Sequence, residues 1–89
     1  MTAPSAETLR ATALQALTAV APDVDPSVLD PALPFREQFD FDSMDHLNFV
    51  IGLHRTLGVD VPEADYLQLA GLDGCVRYLM RTLAATAKP

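Results

Sequence analysis

Asp42-Ser43-Met44-Asp45 opens the stretch that decides the fold, and Leu47, Phe49, Val50, Ile51, Leu53 and Leu57 follow it at helical spacing up to Gly58. The pattern predicts a helix over Ser43 to Leu57, with Gly58 as a left-handed C-cap and Pro62 beyond it. The tetrapeptide therefore puts a lone hydroxyl where loop gives way to helix. The first backbone N–H groups of a helix lack partners within it, and the macrodipole places partial positive charge there. A phosphoester on Ser43 would sit in favourable electrostatics. Asp and Ser are also the commonest N-caps, so on these four residues alone an ordinary cap is the simpler reading.

This helix has two apolar stripes. At 100° per residue from Met44, the side chains of Phe49, Val50, Leu53 and Leu57 fall between about 140° and 240°, whereas Met44, Leu47 and Ile51 fall between about 300° and 360°. One bundle hardly buries both. The first stripe is expected in the core. The second begins beside Ser43 and lies close in angle to Asn48, His54 and Arg55, which suits a partly exposed docking surface. The alternative is that the proline-rich segment before the helix covers it.

Upstream, Leu9, Ala13, Ala16, Leu17 and Val20 share one face, which predicts a first amphipathic helix over roughly residues 5 to 20. Pro22, Pro26, Pro31 and Pro34 then forbid a regular helix through a long connection, which Val24, Leu29, Leu33, Phe35 and Phe39 are expected to tack onto the core. Downstream, a short third helical segment is expected around Glu63 to Leu69. A last helix from Leu72 to about Ala85 presents Leu72, Val76, Leu79, Met80 and Leu83 as one stripe. Helical periodicity without a convincing strand predicts an all-α, four-helix bundle with a long Pro-rich loop between helices 1 and 2, formed as a single domain over residues 1–89.

Composition narrows the function. Hydrophobic residues make up 49% of the 89, enough for a folded core, yet so small a domain does not enclose a deep catalytic site. Six Lys and Arg stand against 12 Asp and Glu, for a formal charge of −6, which repels nucleic acid and anionic membranes and attracts basic partners. The single Cys75 forms no internal disulfide, no apolar run reaches membrane-spanning length, and the N-terminus lacks a secretory pattern, so a cytoplasmic, monomeric protein is expected. No Ser-His-Asp constellation is visible. His46 points to the core side of its helix, and His46 and His54 lack a third ligand for a metal. Cys75 is expected to be a small buried hydrophobe.

From Pro34 to Leu83 the chain resembles the acyl carrier protein family, whose members bear a 4'-phosphopantetheine arm on the serine of a D-S-[LM] motif. Pro34-Phe35-Arg36-Glu37-Gln38-Phe39 is similar to the family's approach to that motif, and Asp42-Ser43-Met44-Asp45 to the attachment site itself. Gly58-Val59-Asp60-Val61-Pro62 is similar to its exit from the second helix, and Ala70-Gly71-Leu72, Val76 and Leu79 to its last helix. The resemblance implies a non-enzymatic carrier with the arm on Ser43. It implies recognition of Asp42 and Met44 during attachment by a phosphopantetheinyl transferase, and docking of acyl-loading and acyl-transfer enzymes on Asp45, Leu47, Asn48, Ile51, His54 and Arg55. It implies cargo held as a thioester in a fatty-acid, lipid or polyketide pathway. An aminoacyl carrier of D-alanyl type, and a helical interaction module with no arm, are the alternatives. Asp40 departs from the glycine that many members have there, and Asn48, His54 and Arg55 depart from the acidic second helix of fatty-acid carriers.

Overall fold

The chain folds as an all-helical bundle; the structure, a computed structural model, describes the backbone of residues 4–87 and the side chains of residues 4–84. Helix α1 spans Ala6–Val20, α2 Ser43–Leu57 and α3 Leu72–Ala87. The fourth helical segment, Glu63–Leu69, is a 3-10 helix, and a single 3-10 turn covers Phe35–Glu37. Seven residues are long for 3-10 geometry. This one lies between Pro62, which starts it, and the approach of Gly71 to the long loop, so both ends are held from outside.

Helix α1 is capped by Ser5, whose hydroxyl accepts the Thr8 amide, and it packs against both α2 and α3. It contributes Leu9, Ala13 and Leu17 to a core completed by Phe49, Val50 and Leu53 from α2 and by Leu72, Cys75, Tyr78 and Leu79 from α3. Leu57, at the end of its predicted stripe, is half-buried against this core. Helix α2 ends as its sequence predicts: Gly58 takes φ 69° and ψ 20°, and its amide donates to His54 O at 2.8 Å. An L side chain there would be strained.

Two apolar assignments are corrected by the structure. Leu33 does not join the core; it is 42% exposed, while Val24, Leu29, Phe35 and Phe39 do pack inward. The cause is that the loop backbone beside Leu33 is itself pressed onto the next element. A Cβ on Gly71 would stand 2.9 Å from Leu33 O, Phe35 N donates to Ala70 O at 2.8 Å, and Asp73 N donates to Pro31 O at 3.0 Å. The other correction concerns α3, where Met80 is 41% exposed while Cys75 and Tyr78 are buried. Seen down the axis, the centre of the buried face falls on Leu72, Cys75 and Leu79, which puts Met80 past its edge.

The long loop is rigidly seated. Gln38 receives the Asp30 amide at 2.7 Å and donates to Asp30 O and Leu33 O, and Phe35 at its centre is fully buried. Phe35 meets Phe41 and Phe49 edge-on with ring centroids 5.4 Å apart in each case, so the loop enters the core immediately before α2 begins. Among the described residues no helix is long and apolar enough to cross a membrane.

Candidate functional site

The start of α2 settles what the three polar residues of the Asp42 to Asp45 tetrapeptide do. Asp42, and not Ser43, is the N-cap: its carboxylate accepts the Asp45 amide at 2.8 Å, and the Asp45 carboxylate accepts the Asp42 amide at 3.2 Å in return. This reciprocal box satisfies the helix end without the serine. Ser43 is the first helical residue, exposed, and among the described residues its hydroxyl has no hydrogen-bond partner. The amides of Ser43 and Met44 likewise have no acceptor among the described residues, because the first helical bond is His46 N to Asp42 O at 3.0 Å. A phosphodiester on Ser43 Oγ would thus meet free amides and the positive end of the dipole. The two flanking carboxylates are meanwhile turned into the backbone. The residues present fit such a group.

Among the described residues no side chain is hydrogen-bonded to the hydroxyl as a base would be. His46 packs its ring near Phe41, Phe49 and Tyr66, and its Nε2 lies 3.2 Å from Leu69 O. A carbonyl only accepts, so Nε2 carries the proton and the ring ties α2 to the end of the 3-10 helix. That is the structural role its helical angle predicts. Among the described residues no group of three or more His, Cys, Asp or Glu side chains is placed to hold a metal. Asp40 is exposed, and among the described residues no non-glycine residue has positive φ, so this position does not demand a glycine.

The second apolar stripe of α2 stands open. Met44 is 63% and Ile51 36% exposed, Leu47 is half-buried, and none of the three packs against the core cluster, so the long loop does not cover them. Leu53, on the opposite stripe, is fully buried. Leu53→Ala should accordingly cost about 2 to 5 kcal/mol in denaturant melts and Ile51→Ala about 1 kcal/mol or less; equal losses would count against an open stripe. Asn48 and Arg55 are exposed beside it. His54 differs from them, because its Nδ1 contacts Val59 O at 3.0 Å and Asp60 Oδ1 at 3.2 Å, which braces the turn after Gly58. Helical angle alone gave no sign of that bond, since its partners lie beyond the helix end.

Cys75 is fully buried, and burial pushes its thiol up to about 12 from an ordinary 9.0. Its neutral form is favoured in the folded chain, so stability is intact below pH 9. As pH rises from 9 towards 12 the unfolded chain alone ionises there, and stability falls by about 1.4 kcal/mol per pH unit. Cys75→Ala should remove that alkaline slope. The native, unloaded chain should also react with thiol reagents only after unfolding; rapid native labelling would contradict the burial.

The start of α2 thus presents the exposed Ser43 hydroxyl beside backbone amides that suit a covalently attached anion. The family model for the phosphopantetheine attachment site matches residues 12–79, and the chain belongs to that family. It carries covalently attached 4'-phosphopantetheine, is not itself catalytic, and serves a phosphopantetheinyl transferase and acyl-handling partner enzymes. Neither the curated proteins nor the solved structures contain a match to it.

Proposed function

We propose that residues 1–89 form a single, monomeric carrier domain, cytoplasmic in location, with the arm esterified to Ser43. In this reading it is an acyl carrier dedicated to one specialised fatty-acid, lipid or polyketide pathway. The observation that carries the assignment is the Ser43 hydroxyl, exposed and without a hydrogen-bond partner among the described residues, because Asp42 and Asp45 cap the helix between themselves. When bound, the arm supplies a terminal thiol that holds acyl groups as thioesters. Ser43 provides the acceptor oxygen, its amide and that of Met44 face the phosphate, and Asp42 and Met44 flank the point of transfer. Met44, Leu47 and Ile51 give partners an apolar seat, with Asp45, Asn48 and Arg55 at its margin and His54 shaping the helix exit. Intact-mass measurement after incubation with coenzyme A and a broad-specificity transferase tests the reading. One arm's added mass is expected, and no gain would overturn it.

Specialisation rests on the charge along this helix. Exposed Asn48 and Arg55 leave the docking stripe without the carboxylates that a basic housekeeping partner would meet, and such rim charges act mainly on encounter rate and specificity. A generic malonyl transferase or ketosynthase should therefore work slowly on the loaded chain. Asn48→Glu with Arg55→Glu should accelerate it about tenfold at low salt, and less at high salt. His54 is left unchanged in this test because it braces the exit turn. A wild-type rate equal to that of a housekeeping carrier would refute the idea of a dedicated partner.

A further inference from the structure

The formal charge of −6 is not spread over the molecule. Seven carboxylates and a single cation, Arg36, stand between Asp23 and Asp45, so this stretch carries the whole net charge, and the rest of the chain holds five residues of each sign. The fold gathers part of that charge around a groove. Between the end of α1, the long loop and the first turn of α2 lies an open cleft of about 550 Å³, rimmed by Asp23, Asp25, Asp40 and Asp45. Its wall is apolar, with Val24, Leu29 and Phe39 half-buried in the core packing and Val28 77% exposed.

We propose that this groove is a protein-docking surface that receives a basic, amphipathic helical segment of a partner enzyme. Apolar residues of that segment would lie against Val28 and Leu29, and its lysines or arginines would meet the carboxylate rim. Charge complementarity selects the occupant, since an acidic segment or an anionic membrane would be repelled. The groove is already formed. Asp25 holds the Ser27 amide at 2.9 Å and hydroxyl at 2.7 Å, Gln38 braces Asp30 and Leu33, and Phe35 anchors the loop from beneath, so docking would order little additional chain. The same bonds from Ser27 hold the Asp25 carboxyl below its usual range, which keeps it charged. Asp45 belongs both to the groove and to the capping box beside Ser43, so a partner seated here would reach the start of α2 without using the Met44, Leu47, Ile51 stripe.

The test uses the full chain with Ser43→Ala, labelled with nitrogen-15 and titrated with a synthetic leucine-lysine amphipathic helix. Because no arm is needed, its outcome is independent of whether Ser43 is the attachment point. Amide shifts should concentrate at Val24, Asp25, Val28, Leu29, Asp40 and Asp45, and weaken with salt. Asp23→Asn, Asp25→Asn and Asp40→Asn together should weaken binding about tenfold; asparagine at 25 keeps the side-chain oxygen that holds Ser27. Val28→Gln, at an exposed position, should weaken it without altering the melt. Shifts centred on Met44, Leu47 and Ile51, unchanged affinity in the triple variant, or equal binding of a leucine-glutamate helix or of anionic vesicles would overturn the proposal.

Discussion

Ser43→Ala is expected to abolish completely the mass gained on incubation with coenzyme A and a phosphopantetheinyl transferase, while helical content and the melting midpoint stay close to wild type. The separation of the two effects follows from the division of labour at the helix start. A lost N-cap costs about 1 kcal/mol, but the cap here is Asp42, locked reciprocally to Asp45, and among the described residues the serine hydroxyl has no hydrogen-bond partner to lose. The stability change at Ser43 should therefore be smaller than that of a true cap, and Asp42→Ala, which removes the carboxylate that accepts the Asp45 amide, is the internal comparison. Thiol titration gives an independent reading. With Cys75 buried and protonated, the native unloaded chain should show no fast-reacting thiol and the loaded chain one, contributed by the arm. Persistent mass gain in the alanine variant would move the attachment site elsewhere.

The largest loss of stability is expected at Phe35. Phe35→Ala should cost about 3 to 5 kcal/mol, a large part of the roughly 5 to 15 kcal/mol that holds a domain of this size together. The ring is fully buried and touches three other phenylalanines, Phe39 at 5.9 Å and Phe41 and Phe49 at 5.4 Å. Its backbone amide is also the one that clasps Ala70. Emptying that position would remove the ring that holds the loop against α2 and leave the bond to Ala70 without that support, so chemical denaturation should shift sharply to lower denaturant, and loop amides from Asp30 to Phe41 should lose protection from hydrogen exchange before those of α1. A loss near 1 kcal/mol would mean that the aromatic cluster is not the anchor.

Local patterns in the chain were enough to determine α1 and α2, the left-handed stop at Gly58, and the two faces of α2, because each depends on residues within one or two turns of one another. The same is true of the family resemblance, which rests on short motifs in order: the approach from Pro34, the Asp42 to Asp45 tetrapeptide, the Gly58 to Pro62 exit. The interior role of His46 and the burial of Cys75 were legible from angle as well. What only the tertiary structure decided lies where distant segments compete for one space. Whether Asp42 or Ser43 caps the helix depends on which side chain turns inward, and that choice leaves the hydroxyl free. Leu33 faces outward because the loop backbone is drawn against Gly71, and α3 buries Cys75 and Tyr78 in place of Met80 because α1 and the 3-10 helix approach it from that side. His54 braces Val59 across the helix end, beyond the reach of any periodicity. The acidic groove is the clearest case: Asp23, Asp25, Asp40 and Asp45 are separated by up to 22 positions in the chain, and only the folding of the loop back onto α1 and α2 makes them one rim. Periodicity describes a residue's place on its own helix, whereas burial and charge density depend on what the rest of the chain brings beside it.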